Sequence, residues 1–329
     1  MAFEQPKIVI VGGGAMGSLF GGLLAGGGLD VTLVDIWQEH VGAINRDGLR
    51  IIGHGGDRTV RLKATVDPQT IAVADVVLFQ CKAFANEVAA RSVQHLVSGS
   101  TVVISFQNGL GNEETLGRIL GETHILGGLT AQGAVMVEAG VVRNFGDLPS
   151  YIGEFGGGLS ERAVAIAEAF TRHRLPTVAS ANIKKEKWQK LLGNAALGAV
   201  SAATDMTSAE MVAIPELRAA ILRALDETAA VARACGIPLG DTEKHAIFDK
   251  LTDTGRGGTG ASKSSMAADI AQRRKTEIDI IHGSVSRLGR EKGVPTPTID
   301  TMIAIVKGLE SRYTKPAGKQ DQGERRKRQ

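Results

Sequence analysis

Two cysteines are all this 329-residue chain contains, Cys81 and Cys235, far apart and without metal-ligand spacing. That scarcity excludes a disulfide framework and a cysteine-based metal site, and no metal is expected. It fits a reduced, intracellular protein, so a cytoplasmic location is expected. No run of about eighteen apolar residues is present, which argues against a membrane span. Glu4 lies near the start and a strand-like run follows at once, so no secretory signal pattern is apparent. Net charge is also scarce, at +3. Residues 314–329 hold six basic and two acidic side chains, a net +4, which leaves about −1 for the rest. A body with that balance is not a nucleic-acid-binding surface. The run Arg325-Arg326-Lys327-Arg328 reads either as an anion patch or as a flexible, solubilising end. The segment lacks large apolar residues, which favours the second reading.

Glycine is abundant instead: 42 residues, roughly 13% against an average near 7%. Much of it falls in the first 160 residues, as tight βα turns require. The apolar run Lys7-Ile8-Val9-Ile10-Val11 leads into Gly12-Gly13-Gly14-Ala15-Met16-Gly17, and a second run, Val31-Thr32-Leu33-Val34, ends at Asp35. Strand, G-x-G-x-x-G turn, helix, strand and acid together form the βαβ dinucleotide fingerprint. Gly12 permits the tight turn, Gly14 lets backbone approach a pyrophosphate, and Gly17 lets helix pack on strand. Ala15 and Met16 lie in the helix N-terminus, whose N–H groups and dipole would meet that pyrophosphate. A structural glycine turn in a cofactor-free domain is the competing reading. Asp35 can accept hydrogen bonds from the adenosine ribose of NAD and would repel the 2′-phosphate of NADP. Like unit charges at ~4 Å and an effective dielectric of ~20 cost roughly 4 kcal/mol before screening. No Arg or Lys follows closely, so NAD(H) is expected over NADP(H).

Further apolar runs predict strands at 76–80, 101–105 and 124–128 beside those at 7–11 and 31–35, a Rossmann-type, doubly wound parallel sheet. Strand-like pieces continue through 130–155, including Gly140-Val141-Val142-Arg143. A helix capped by Ser160 is predicted over Glu161–Arg172, and a last strand over Leu175–Ala179. From about 182 the pattern changes to helices: Lys184–Ala203, Pro215–Cys235, Thr242–Leu251 and one long helix over Ser264–Lys292, whose length could serve a dimer face. The expected domains are a dinucleotide-binding unit at 1–181, an all-helical substrate unit at 182–313 and a basic tail at 314–329. The expected active site is the cleft between the two domains.

On the helix from Lys184, a stripe of Lys190, Asn194, Gly198 and Ser201 at offsets of 0, 4, 8 and 11 borders the packing face of Trp188, Leu191, Leu192, Ala195, Ala196 and Ala199. The stripe is either a solvated face or the wall of a cleft. Glu277 falls on the core side of the long helix, seven residues after Ile270 and four before Ile281. A buried carboxylate needs a partner; Lys190 is one candidate, and a surface pair with Arg273 or Arg274 is the other. A protonated lysine can stabilise and protonate the oxyanion formed when hydride adds to a ketone, and a neighbouring carboxylate keeps such a lysine charged. Cys81-Lys82 and Gln107-Asn108-Gly109 follow predicted strands at their carboxyl ends, where doubly wound sheets bind ligands. Lys82 is equally readable as a surface lysine, and Asn108-Gly109 as a turn.

These motifs, with Cys81-Lys82-Ala83, Gln107-Asn108-Gly109-Leu110-Gly111, Lys187-Trp188-Gln189-Lys190 and Asn194, and Ser264-Ser265-Met266 followed by Thr276-Glu277-Ile278-Asp279, resemble the ketopantoate reductase (2-dehydropantoate 2-reductase) family over nearly the whole chain except the tail. The resemblance implies that Lys190 is the general acid and Glu277 assists it. It implies that Asn108 lies by substrate and nicotinamide, that Asn194 and Ser265 contact substrate, and that Lys82 lies near both cofactor and substrate. Two positions depart from the family pattern. Gly198 stands where a second asparagine is usual, followed by Ala199 where proline is common, which removes polar contacts and opens space. Asp35 stands where the usual NADP-linked member has a basic residue. The expected substrate is a 2-oxo acid or the matching hydroxy compound. The rivals are an NAD-dependent catabolic dehydrogenase for another secondary alcohol, and an NAD(H)-sensing protein without turnover.

Overall fold

A computed structural model describes residues 3–255 and 258–314. The tail from residue 315, including the Arg325–Arg328 run, lies outside the described residues, as do Arg256 and Gly257 of the glycine-rich loop. The chain divides into two compact units, Met1–Lys187 and Trp188–Gln329.

The first unit carries twelve strands among its described residues: β1 Ile8–Val11, β2 Val31–Val34, β3 Leu49–Gly53, β4 Arg58–Val60, β5 Lys63–Thr65, β6 Val76–Phe79, β7 Val102–Ser105, β8 Ile125–Thr130, β9 Ala134–Glu138, β10 Val141–Asn144, β11 Ser150–Glu154 and β12 Thr177–Ala179. Its helices are α1 Ala15–Gly26, α2 Gln38–Asp47, α3 Asn86–Ser92, α4 Asn112–Leu120 and α5 Glu161–Arg172, with Ser160 Oγ capping α5 by accepting from Ala163 N. Eight strands form one sheet in the order β12-β11-β8-β7-β6-β1-β2-β5. The strands from β5 to β8 in that order pair in parallel, with Ile8 opposite both Val31 and Val76. β1, β6 and β7 are buried throughout, so they read as unbroken apolar runs.

The sheet is not parallel throughout. β11 runs antiparallel to β8, and β12 follows β11's direction. A parallel neighbour needs a crossover, usually helical. Here the chain leaves β8 through β9 and β10 and returns without a helix. Those two strands, which fall in the strand-like stretch expected at 130–155, belong to a second sheet, β4-β3-β10-β9, whose β3 and β4 were not foreseen. Phe20 of α1 packs edge-to-face on Phe106, just past β7, with ring centroids 5.1 Å apart, holding α1 over the sheet.

Helix α6, Ile183–Thr204, contains the division between the units. The second unit continues with α7 Ser208–Val212, α8 Pro215–Ala234, α9 Asp241–Thr252, α10 Ser265–Ala271, α11 Ile278–Lys292 and α12 Pro297–Glu310. α8, α11 and α12 pack on one another, and the Glu227 carboxylate of α8 accepts from Thr298 N and Ile299 N to cap α12. The single helix expected over Ser264–Lys292 is two helices. After α10 the backbone turns left-handed at Arg273, φ 53°. Asp269, almost wholly buried, accepts from the Arg274 guanidinium at 2.8 and 3.0 Å, while Arg274 N donates to the Asp269 carbonyl. Glu310 then accepts from Thr276 N at 2.6 Å. The continuous helix on which a dimer face was expected is therefore replaced by two shorter ones.

Candidate cofactor and proton-transfer sites

The glycine turn joins β1 to α1. Gly12 has φ 103°, and a β-carbon there would lie 2.4 Å from Cys81 N. A β-carbon at Gly17 would lie 1.8 Å from the Gly12 carbonyl oxygen, so this glycine is required for the close approach of helix to turn. At Gly14 a β-carbon would meet nothing within 4 Å, so no protein contact demands glycine there. The open side of Gly14 and the absence of a side-chain cap on α1 fit a pyrophosphate at Gly14, Ala15 and Met16.

The turn is braced at both polar groups of Gly13. Gly13 N donates to Asp35 Oδ2 at 2.6 Å, and Trp37 N donates to Oδ1 at 2.8 Å. Ser18 Oγ donates to the Gly13 carbonyl at 2.7 Å. Behind Ser18 stands buried His40. Its Nδ1 accepts from Gly140 N at 2.9 Å, so the proton sits on Nε2, which donates to Ser18 Oγ at 3.0 Å. Burial lowers the His40 pKa, against opposing pulls from Asp35 and the Gly13 backbone. Asp35 is half-buried at the end of β2, and the next side chain, Ile36, is 94% exposed.

Lys82 and Asn108 are both half-buried past the carboxyl ends of β6 and β7. Their loops are locked by an amide network that the sequence reading had not identified. Gln107 Nε2 donates to the Cys81 carbonyl and to Asn86 Oδ1, each at 2.6 Å. Asn86 Nδ2 donates to Asn112 Oδ1, and Asn112 Nδ2 to the Asn108 carbonyl, both at 2.9 Å. Equally unforeseen is a buried ion pair between Glu113 of α4 and Lys187 of α6, whose side chains are 1% and 3% exposed. Burial pushes the Glu113 carboxyl up, and Lys187 pulls it back. Only the motif Lys187-Trp188-Gln189-Lys190 had marked this lysine; its partner lies 74 residues away.

In the second unit, the stripe on α6 divides. Lys190 and Asn194 are half-buried, whereas Gly198 and Ser201 are covered. Ser264, the N-cap of α10, donates from Oγ to the Gly198 carbonyl at 3.2 Å and from N to Ser201 Oγ at 3.1 Å. Ser201 is thus a structural tie to α10. Ser265 is exposed in the first turn of that helix. Gly198 opens less room than its lack of a side chain implies. A β-carbon there would lie 3.6 Å from His282 Cε1 and 3.7 Å from Met266 Cε, ordinary van der Waals contact, so these two side chains bound the space beside Gly198. Glu277 does not sit inside a helix. It is the half-buried residue immediately before α11.

Among the described residues, no group of three or more His, Cys, Asp or Glu could hold a metal ion. No described helix is long and apolar enough to cross a membrane. A surface cavity of about 410 Å³ lies at the amino ends of β1 and β2, beside Lys7, Asp30 and Lys63. That is the edge opposite the glycine turn, so it is not the candidate site.

Residues 8–157 match the family profile described as Ketopantoate reductase PanE/ApbA, and residues 182–310 match its C-terminal counterpart. A 2-dehydropantoate 2-reductase of Halobacterium salinarum is 32% identical over 302 residues, covering 92% of this chain and 98% of that protein. That of Pyrococcus horikoshii is 32% identical, covering 93% and 98%. Among solved structures, a PanE/ApbA family ketopantoate reductase from Ralstonia eutropha superposes with a TM-score of 0.85 at 31% identity, covering 93% and 99%. A D-mandelate dehydrogenase bound to NADH and anilino(oxo)acetate gives 0.88 at 29% identity, covering 93% and 99%.

Proposed function

The chain belongs to the ketopantoate reductase family, and from that premise we propose that it transfers a hydride between NAD(H) and a 2-oxo acid or its 2-hydroxy acid, with Lys190 as the proton donor. The coarser statement, an NAD(P)-dependent oxidoreductase acting on a CH–OH group, rests on the relatives. The observation that carries the cofactor reading is the turn itself: Gly12 and Gly17 enforced by contact, Gly14 open, and an acid at the end of β2. Asp35 supports NAD over NADP by repelling a 2′-phosphate, and the exposed Ile36 offers an apolar surface to adenine. The substrate class is supported by its neighbours' names: 2-dehydropantoate is a 2-oxo acid and mandelate a 2-hydroxy acid, so both carry the same reacting unit.

Bound NADH supplies the hydride to the carbonyl carbon. Lys190 donates a proton to the carbonyl oxygen as negative charge builds there. Glu277 favours the charged form of Lys190. Asn194 and Ser265 orient the substrate, the Ser265 hydroxyl by donating to the substrate's carboxylate; Lys82 and Asn108 orient nicotinamide and substrate, on a backbone stiffened by the amide network. Replacing Lys190 by Ala should lower kcat with 2-dehydropantoate or another accepted 2-oxo acid by about 10²–10⁴-fold, while NADH affinity stays within twofold. Unchanged turnover would remove Lys190 from the mechanism.

The D-mandelate dehydrogenase likeness favours a second reading, an NAD-linked dehydrogenase for a different 2-hydroxy acid. Comparing kcat/KM for 2-dehydropantoate and for phenylglyoxylate, the oxo acid of mandelate, separates the two.

A further inference from the structure

We infer that Gln132 binds the carboxamide of the nicotinamide ring through a paired amide–amide contact. The inference rests on the cofactor reading above. Gln132 is 8% exposed, yet among the described residues neither its Oε1 nor its Nε2 has a hydrogen-bond partner. Native proteins pair nearly all such atoms, so an amide with both ends unused marks a missing partner. Its main chain is well held. Gln132 N donates to Thr130 Oγ1 at 3.1 Å, and Ser150 Oγ donates to that same oxygen at 2.9 Å. The buried amides Gln107, Asn86 and Asn112 bond to one another, whereas Gln132 is, among the described side-chain amides, the one whose donor and acceptor are both left buried and unbonded.

Position points to the ligand. Gln132 follows the carboxyl end of β8 and precedes β9, which packs against α1. β8 is parallel to β7, with Ser105 opposite Gly127, so Gln132 and Asn108 leave the same edge of the sheet. In the strand order, β1 bears the glycine turn, β2 with Asp35 lies on one side of it, and β6, β7 and β8 lie on the other. A dinucleotide across that edge, with its pyrophosphate at α1 and its adenosine ribose at Asp35, has its nicotinamide on the β6–β8 half. A primary carboxamide presents one acceptor and one donor side by side, the complement of the unused pair on Gln132.

The test measures dissociation constants of NADH, ADP-ribose and reduced 3-acetylpyridine adenine dinucleotide, in which a methyl replaces the carboxamide NH₂. Full-length wild type, Gln132→Leu and Gln132→Glu are compared, with melting curves to show that each variant folds. Gln132→Leu should weaken NADH about tenfold and leave ADP-ribose within twofold, because ADP-ribose lacks the nicotinamide. Wild type should prefer NADH to the acetylpyridine analogue, and Gln132→Leu should lose that preference. Gln132→Glu, of the same size but without the amide donor, should also weaken NADH alone. Equal NADH affinity in wild type and Gln132→Leu, or parallel loss of NADH and ADP-ribose, overturns the inference and leaves the cofactor reading standing. Failure of the wild type to bind either ligand overturns both.

Discussion

Acidification from pH 7 to pH 5 should cost the second unit about 2 kcal/mol through His282 alone. This side chain on α11 is wholly buried, and neither ring nitrogen has a hydrogen-bond partner among the described residues. Burial pushes its pKa down from 6.5 to about 4; the nearby Ala195 backbone pulls weakly the other way without forming a bond of good geometry. The folded value lies below the unfolded one, so the folded ring stays neutral while the unfolded ring takes up a proton. Stability is therefore lost as pH falls from about 6.5 and levels off below about 4, with a full loss of about 3 kcal/mol, of which about 2 falls between pH 7 and pH 5. The assay is urea unfolding at the two pH values, followed by fluorescence. The sequence has two tryptophans, Trp37 and Trp188, so a Trp37→Phe background leaves Trp188, in the second unit, as reporter. His40 is a further buried histidine with a lowered pKa, so wild type is compared with His282→Gln, which lacks the titrating ring and keeps everything else. The acid-induced loss should be smaller in the variant by about 2 kcal/mol. Equal losses in the two proteins, or an NMR titration of His282 centred near 6.5, would refute the reasoning.

Other outcomes follow from the same geometry. Lys187→Met should lower stability by about 3–5 kcal/mol, because it leaves the Glu113 carboxyl buried without its counter-charge. Adding Glu113→Leu should recover most of that loss in urea unfolding, and a single variant as stable as wild type would show that the pair is not needed. Asp35→Ser should reduce the ratio of NADP to NAD dissociation constants by about tenfold or more, since 1.4 kcal/mol, a third of the estimated repulsion, already gives that factor. A ratio unchanged in fluorescence titration would remove Asp35 as the discriminator. The same change removes the carboxylate that accepts from Gly13 N in the turn and from Trp37 N beyond β2, so NADH should bind somewhat more weakly as well.

Strands β1, β2, β6, β7 and β8 were legible because buried parallel strands are unbroken apolar runs with little else to imitate them. The glycine fingerprint was legible because its requirements are local: a positive φ at Gly12 and contact at Gly17 both arise within one βα turn. Helix α12 was missed although its signals are present, with Pro297 in the first turn and Ile299, Met302 and Val306 on the buried face. The short β4 and β5, three residues each, carry too few positions for an alternating pattern to register. The break between α10 and α11 was hidden for another reason. Apolar residues recur on both sides of it, while one group that stabilises it, the Glu310 carboxylate, is 34 residues from Thr276.

The sequence by itself determined the fold class and the dinucleotide turn, because periodicity and turn chemistry act over a few residues; spacing also singled out Lys190, Asn194 and Glu277, and the family resemblance added Ser265. Tertiary structure alone decided which polar groups are paired. It joined Glu113 to Lys187 and tied Ser201 to Ser264. It set His282 against the bare side of Gly198 and left the Gln132 amide buried without a partner among the described residues. Those outcomes depend on which distant segments exclude water from one another, and burial gives a carboxylate, an imidazole or an amide its energetic weight.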